Sequence, residues 1–268
     1  MTRVLITGAA SGLGRALALA WARRGASVLV ADLNAARGNE TLCLCLEAGA
    51  NEAMFARLDV TSDADFVQTA NWVRQRWGGL DIVVNNAGVA GGGRFEGITE
   101  DDWRWMLDIN LLGVVRGCRA FTPLFKEQKS GHFVNIASMA GLLNPPAMSN
   151  YNVAKAGVVA LSETLAVELE PWNIRTLVVC PSYFQTNLNE SLRTHDEAMK
   201  AALPKLLASS DISADDIAEG ILAAIDRGDS TYLPHERARA ALQQKLQDVE
   251  AFRQEFYVQA RKLASRQD

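Results

Sequence analysis

The sequence predicts a three-layer α/β/α domain built on a doubly wound parallel sheet, followed by a C-terminal helical extension. Three observations predict it. Six short apolar runs rich in β-branched residues recur along the chain, a segment of helical length separates each from the next, and a glycine-rich turn follows the first run directly. At 268 residues, 49% of them apolar, the chain can bury a sizeable core.

The runs read as strands are Val4–Thr7, Ser27–Ala31, Asn51–Leu58, Leu80–Val84, His132–Ala137 and Arg175–Cys180. The segments between them are Gly14–Arg24, Asn34–Ala48, Asp63–Trp77, Thr99–Lys126 and Tyr151–Glu170, each long enough to be a crossover helix. Such crossovers make the strands parallel and cover both faces of the sheet. No repeat or low-complexity linker divides the chain, so residues 1–234 are read as one domain. Within it, Phe184–Ser210 follows the sixth strand and is expected to form a ligand-covering lid. From Glu236 onward, Leu242, Leu246, Val249, Phe252, Phe256, Ala260 and Leu263 recur at three- and four-residue steps, predicting one amphipathic helix over 235–268. That helix could pack on its own domain, contact another subunit, or wall a substrate site.

Composition removes several function classes. The 27 basic residues are scattered and outnumbered by 31 acidic ones, for a net charge of −4, which leaves no footprint for nucleic acid. Apolar stretches fall short of the roughly 18–20 residues of a membrane span. The chain opens directly on a strand with no export signal, so a cytoplasmic protein is expected. Cys43, Cys45, Cys118 and Cys180 have no Cys-x-x-Cys spacing and the three histidines lie far apart, so no metal site is expected.

The turn after the first strand carries Gly8, Ser11, Gly12, Leu13 and Gly14 in the spacing Gly-x-x-x-Gly-x-Gly, running straight into a helix. Glycines there permit a tight turn and close approach of backbone to a pyrophosphate, and the helix N-terminus offers free N–H groups to the anion. Asp32 stands at the tip of the second strand. A carboxylate at that point can accept hydrogen bonds from ribose hydroxyls and repel a 2′-phosphate, favouring NAD over NADP. The competing readings are that Asp32 starts a turn, and that Arg15 or Arg37 receives a phosphate.

Tyr151 and Lys155 lie four residues apart on a helix and so share a face. A free tyrosine has a pKa of about 10; a neighbouring ammonium and an oxidised nicotinamide should lower it, making Tyr151 a general acid/base. Thirteen residues upstream, Ser138 follows the fifth strand at the sheet edge where such folds bind ligands, placed either to hold a substrate oxygen or to cap a turn. Met139, Leu142, Leu143, Met148, Tyr183, Phe184 and Leu188 fall near this point and suggest an apolar substrate.

Taken together, the Thr7–Gly14 loop, Asp59-Val60, Asn85-Asn86-Ala87-Gly88, Asn110, Ser138, the Tyr151/Lys155 pair and Pro181–Thr186 resemble the short-chain dehydrogenase/reductase family in its single-domain branch, from Thr2 to about Pro234. The resemblance implies a Rossmann-type fold and NAD-dependent hydride transfer between a secondary alcohol and a ketone. It places Asp59 and Val60 beside the adenine and has Asn86, Ala87 and Gly88 bracing the cofactor. Pro181 and Thr186 would lie near the nicotinamide, and Asn110 would hold a water that links Lys155 to solvent. It further implies that Lys155 binds the nicotinamide ribose, and that the long helices Leu107–Phe125 and Tyr151–Leu169 build a homodimer or homotetramer. Ser182 departs from the family's usual glycine. Two rival activities were weighed against this one. An NAD(H)-binding sensor or scaffold without turnover would be expected to lose the Tyr/Lys pair. An isomerase or dehydratase acting on a sugar nucleotide would want a larger C-terminal domain.

Overall fold

A computed structural model describes residues 1–264. Its seven strands are β1 (Arg3–Thr7), β2 (Ser27–Asp32), β3 (Glu52–Arg57), β4 (Ile82–Asn85), β5 (Gly131–Ile136), β6 (Ile174–Val179) and β7 (Thr231–Tyr232). All pair in parallel, in the order β3-β2-β1-β4-β5-β6-β7, with Val4 opposite Val28 on one side and Ile82 on the other. The chain therefore winds outward from β1 to β3, then crosses back to β4. A crevice opens at that reversal, outside the carboxyl ends of β1 and β4.

Crossover helices α1 (Gly12–Arg23), α2 (Ala35–Glu47) and α3 (Asp63–Trp77) connect the first four strands. Side-chain caps set two of their starts: Asn34 accepts from the Arg37 N–H and Ser62 from the Asp65 N–H. Gly78, at φ 68°, closes α3 in the left-handed region where glycine carries no steric cost. Alternate strand residues feed separate cores on the two faces of the sheet. Val4, Ile6, Val28 and Val30 pack on one side with Leu17 and Trp21 of α1. Leu5, Leu29 and Val83 pack on the other with Phe66, Phe121 and Phe125. Strands buried on both faces read as continuous apolar runs, which is why they were visible in the sequence.

The segment expected as a single helix over Thr99–Lys126 is interrupted. It consists of α4 (Glu100–Leu107), a π-turn over Asp108–Leu112, and α5 (Gly113–Gln128). Beyond β5 come the short α6 (Ala140–Leu143) and the long α7 (Ser149–Glu168). A 3-10 turn at Asn187–Ser191 and α8 (Glu197–Ala208) occupy the region expected as a lid. α9 (Ala214–Arg227) begins at a Ser213/Asp216 capping box and packs Ile217, Ile221 and Leu222 against α1. The two-residue β7 was too short to register as a periodic run.

One continuous C-terminal helix was expected; the structure has two, α10 (Glu236–Gln247) and α11 (Val249–Ala264). Asp248 breaks them, in extended backbone at φ −149°, and its Oδ1 accepts the Glu250 and Ala251 N–H groups that start α11. The hydrophobic spacing runs on through the break, so the stripe alone conceals it, and Leu246 is left 78% exposed. Residues 265–268, expected at the end of this helix, lie outside the described residues. No helix among the described residues is long and apolar enough to cross a membrane. Nor do three or more His, Cys, Asp or Glu side chains among them gather into a metal-holding group.

His132, near the start of β5, is buried with no partner for its Nε2. Burial, reinforced by the Arg175 charge, pushes its pKa down to about 4. The unfolded chain, with a histidine near its ordinary 6.5, binds more protons between these two values, so stability rises with pH across the window and is lost as pH falls from about 6.5 to about 4. The contribution is on the order of 3 kcal/mol. Thermal melts at stepped pH should show that acid limb in the wild type and a shallower one in His132→Gln; identical limbs would refute it.

Candidate active site

The crevice at the reversal point is a cavity of about 1000 Å³. Its floor is stitched from β1 and β4. The Thr7 hydroxyl accepts the Asn86 and Ala87 N–H groups at 3.0 and 3.1 Å and donates to Val84, while Asn86 Nδ2 donates to the Thr7 carbonyl at 2.9 Å. A methyl carbon on Gly8 would meet Ala87 Cα at 2.8 Å, and one on Gly14 would lie 2.2 Å from the Gly8 carbonyl oxygen. The turn thus closes to backbone-on-backbone contact. Gly12 opens α1 at φ +52°, and Ser11, its N-cap residue, makes no side-chain cap, so the first N–H groups of α1 have no side-chain acceptor there. A strand, a turn of this tightness and an uncapped helix start fit a pyrophosphate.

At one end of the cavity stands Asp32. Its Oδ2 accepts the Ala10 N–H at 2.9 Å and its Oδ1 the Asn34 N–H at 2.9 Å, which fixes the carboxylate between the phosphate turn and the start of α2. Both arginines that might have received a phosphate are engaged elsewhere. Arg15 bonds Glu40, Thr41 and the Ala10 carbonyl, and Arg37 pairs with Glu190 at 2.6 Å. Asp59 and Val60 line the same end, with Asp59 accepting from the Thr61 N–H and hydroxyl.

At the other end, the N-terminal turn of α7 carries Tyr151, and Lys155 follows one turn later. Both are buried, at 8% and 4% exposure. Ser138, which follows β5, lines the cavity beside Tyr151 and lowers its pKa, and its hydroxyl donates to the Pro181 carbonyl at 3.4 Å. The Ser138 hydroxyl also accepts the Ala140 N–H at 3.1 Å, so the serine caps the start of α6 as well as facing the tyrosine. Lys155 Nζ donates to the Ile136 carbonyl at 2.9 Å and stands 5.8 Å from the Tyr151 ring centroid.

The electrostatics differ from the sequence expectation. Burial raises the Tyr151 pKa to about 12, against the opposing hydrogen bond from Ser138, and Lys155 is not among the groups that move it. Burial lowers Lys155 to about 8, with Cys180 opposing. In the chain by itself, then, burial holds Tyr151 as a neutral phenol.

Of the residues expected at the site, Gly8, Ser11, Gly12, Leu13, Asp32, Asp59, Val60, Asn86, Ala87, Gly88, Ser138, Tyr151, Lys155, Pro181 and Thr186 all line this one cavity. Gly14 and Asn110 stand behind its wall. Asn110 lies within the π-turn with no exposed surface, its Oδ1 accepting the Val89 N–H at 2.8 Å and its Nδ2 donating to the Val89 carbonyl at 2.9 Å. Its side chain is spent on Val89, so any link to a water would have to use its backbone carbonyl. The Thr186 hydroxyl lies over the phosphate turn, 2.7 Å from where a Gly12 methyl carbon would be.

Sequence reasoning missed several contributors. Trp105 and Ile109 reach the cavity from the helix ahead of Asn110, Leu203, Leu206 and Leu207 from α8, and Phe256 and Gln259 from α11. The i, i+4 spacing of Trp105 and Ile109 was a usable signal. His235 was missed too: its Nδ1 accepts the Ser182 N–H at 3.1 Å, which puts its proton on Nε2, 3.0 Å from the Tyr183 carbonyl. It clamps the loop where serine replaces the family's glycine. The lid region is latched by Arg193, which pairs at 2.7 Å with the buried Asp102 of α4 and whose N–H donates to the Ala90 carbonyl.

Comparison with known proteins agrees with this geometry. The profile of the short chain dehydrogenase family matches residues 2–197. An uncharacterized oxidoreductase of Listeria monocytogenes, Lmo0432, is 34% identical over 226 residues, covering 84% of this chain and 90% of that protein. The 3-oxoacyl-[acyl-carrier-protein] reductase FabG of Thermotoga maritima is 32% identical over 218 residues, covering 81% and 87%. A crystal structure of a short chain dehydrogenase/reductase from Burkholderia phymatum in complex with NAD superposes with a TM-score of 0.87 at 31% identity, covering 93% and 94%. The chain belongs to the short-chain dehydrogenase/reductase family, nicotinamide-dependent oxidoreductases that act on CH–OH or carbonyl groups.

Proposed function

We propose that the protein is an NAD-dependent oxidoreductase interconverting an uncharged, largely apolar secondary alcohol and its ketone. The observation that carries this reading is the buried Tyr151, which lines the apolar end of the cavity together with Ser138 and Lys155. Side chains at that end include Trp105, Met148, Tyr183, Leu203 and Phe256. The carboxylates of the lining, Asp32, Asp59 and Glu190, lie toward the β2 and β3 end, where Glu190 meets Arg37 of α2.

The phosphate turn would hold the pyrophosphate of the cofactor, Asp32 its adenosine ribose, and Pro181 and Thr186 the nicotinamide side. When bound, the nicotinamide supplies or accepts the hydride. For reduction, Ser138 and Tyr151 both donate hydrogen bonds to the carbonyl oxygen, and the neutral phenol passes its proton to that oxygen as the alcohol forms. For oxidation the proton returns from the alcohol to a phenolate. Burial opposes that form, and positive charge close to Tyr151, such as that of an oxidised nicotinamide, would offset it in that direction. The fixed Asp32 carboxylate would repel a 2′-phosphate, with Arg15 and Arg37 held away by Glu40 and Glu190. A homodimer or homotetramer fits the same reading, with Val153 and Val167 of α7 exposed at 49% and 77%.

The reading is tested by following nicotinamide absorbance while the chain is offered uncharged ketones of graded bulk with NADH or NADPH. Turnover is expected with at least one bulky apolar ketone, with kcat/KM at least about tenfold higher for NADH, a difference of 1.4 kcal/mol. Equal or better use of NADPH would overturn the Asp32 argument. Absence of turnover with every ketone would overturn the reductase reading.

A further inference from the structure

Helix α11 contributes no strand to the sheet and lies beyond the span matched by the family profile, yet it reaches the catalytic cavity. We propose that α11 is a substrate-selecting wall, in which Phe256 packs on the apolar body of the ketone and Gln259, at the rim, hydrogen-bonds an uncharged polar group at its far end. This inference rests on the reductase reading above and adds to it a substrate class: an elongated apolar ketone, able to carry a neutral hydroxyl, amide or carbonyl at its distal end.

The extension is anchored along its length. His235 clamps the Ser182–Tyr183 backbone, Arg239 donates to the Leu233 and Pro234 carbonyls, and Ala238 is buried in the core with Leu242 packed against it. Lys245 donates to the Leu142 carbonyl, fixing α10 to α6, the short helix that Ser138 caps. α10 is therefore tied to the element that follows the catalytic serine, and Gln244 of α10 donates to Glu255 of α11 at 3.3 Å.

The orientation of the wall is set within α11. Phe252, 3% exposed, stacks edge to face on Phe256 with centroids 4.9 Å apart at 75°. Residues 252, 256 and 259 fall at i, i+4 and i+7 and share one face of the helix. One side of the Phe256 ring is thus supported by a buried neighbour, and the ring also borders the cavity. An aromatic ring held this way offers a rigid apolar surface at little entropic cost. The Gln259 amide presents both a donor and an acceptor, and no charge.

The test uses the full chain with NADH and three ketones: 2-butanone, 2-dodecanone and 12-hydroxy-2-dodecanone. In Phe256→Ala, kcat/KM for 2-dodecanone is expected to fall about tenfold and that for 2-butanone by much less, since the short ketone offers little apolar body for the ring to cover. Phe256→Leu, which retains an apolar side chain, should recover part of that loss. Gln259→Ala should lower kcat/KM for the hydroxylated ketone severalfold and leave 2-dodecanone alone. NADH affinity by fluorescence titration and the melting temperature should match wild type in each variant. Equal losses on short and long ketones, or no loss on either, would overturn the inference and leave the reductase reading standing. Failure of the wild type on every ketone, the three here and the graded set above, would overturn both.

Discussion

Replacing Tyr151 with phenylalanine is expected to slow ketone reduction by about 10²–10⁴-fold, the usual contribution of a positioned general acid, while leaving NADH binding near wild type. The substitution removes one hydroxyl from a ring packed among Met106, Ala154 and Met148, so the fold should tolerate it. What is lost is the proton donor beside Ser138. Because burial holds the phenol protonated to about pH 12, the wild-type reduction rate should show no limb assignable to Tyr151 between pH 5 and 9. Steady-state kinetics over that range, alongside NADH fluorescence titration, checks both statements. Full activity in the variant would remove Tyr151 from the chemistry.

The second large effect is expected from Gly14→Ala, which should weaken NADH binding at least tenfold and lower the melting temperature. The added carbon would sit 2.2 Å from the Gly8 carbonyl oxygen and 2.6 Å from Asn86 Nδ2. The oxygen belongs to backbone already at φ +65°, so relief requires moving the phosphate turn itself. Gly97→Ala is the control, since its added carbon meets nothing within 4 Å and its backbone does not need glycine. Isothermal titration with NADH and thermal melts separate the outcomes; a Gly14→Ala protein that binds NADH normally would show that the close packing of this turn is dispensable.

What was legible in the sequence was whatever short-range chemistry dictates. Gly8, Gly12 and Gly14 announce a turn because other residues cannot make the close approaches found there, and Tyr151 and Lys155 announce a shared face because helix geometry requires it. Strands buried on both faces show as apolar runs. Three features stayed hidden, two because they depend on tertiary contacts and one because a local cap is masked by the apolar spacing around it. Asn110 is expected to hold a water, and nothing local in the sequence shows that its side-chain amide is engaged by the Val89 backbone, a partner 21 residues away. The Tyr151 pKa is expected to fall beside an ammonium and an oxidised nicotinamide, and the sequence does not show how far desolvation by the surrounding core raises it in the chain by itself. Asp248 interrupts an apolar stripe whose spacing continues unbroken on both sides, so only its capping bonds reveal the break.

The π-turn at Asp108–Leu112 has a consequence for how this protein can change. A buried ridge descends the segment in steps of four, through Met106, Asn110, Val114 and Cys118, and an unbroken α-helix would let such a ridge drift about 40° per step around its axis. The wider turn absorbs part of that drift and sets the angular phase of α5 independently of α4. Trp105 and Ile109 can then be exchanged to reshape the cavity without rotating Phe121 and Phe125 out of the sheet core. The segment behaves as two rotors on one shaft, one free to diversify with substrate and the other held fixed by the fold.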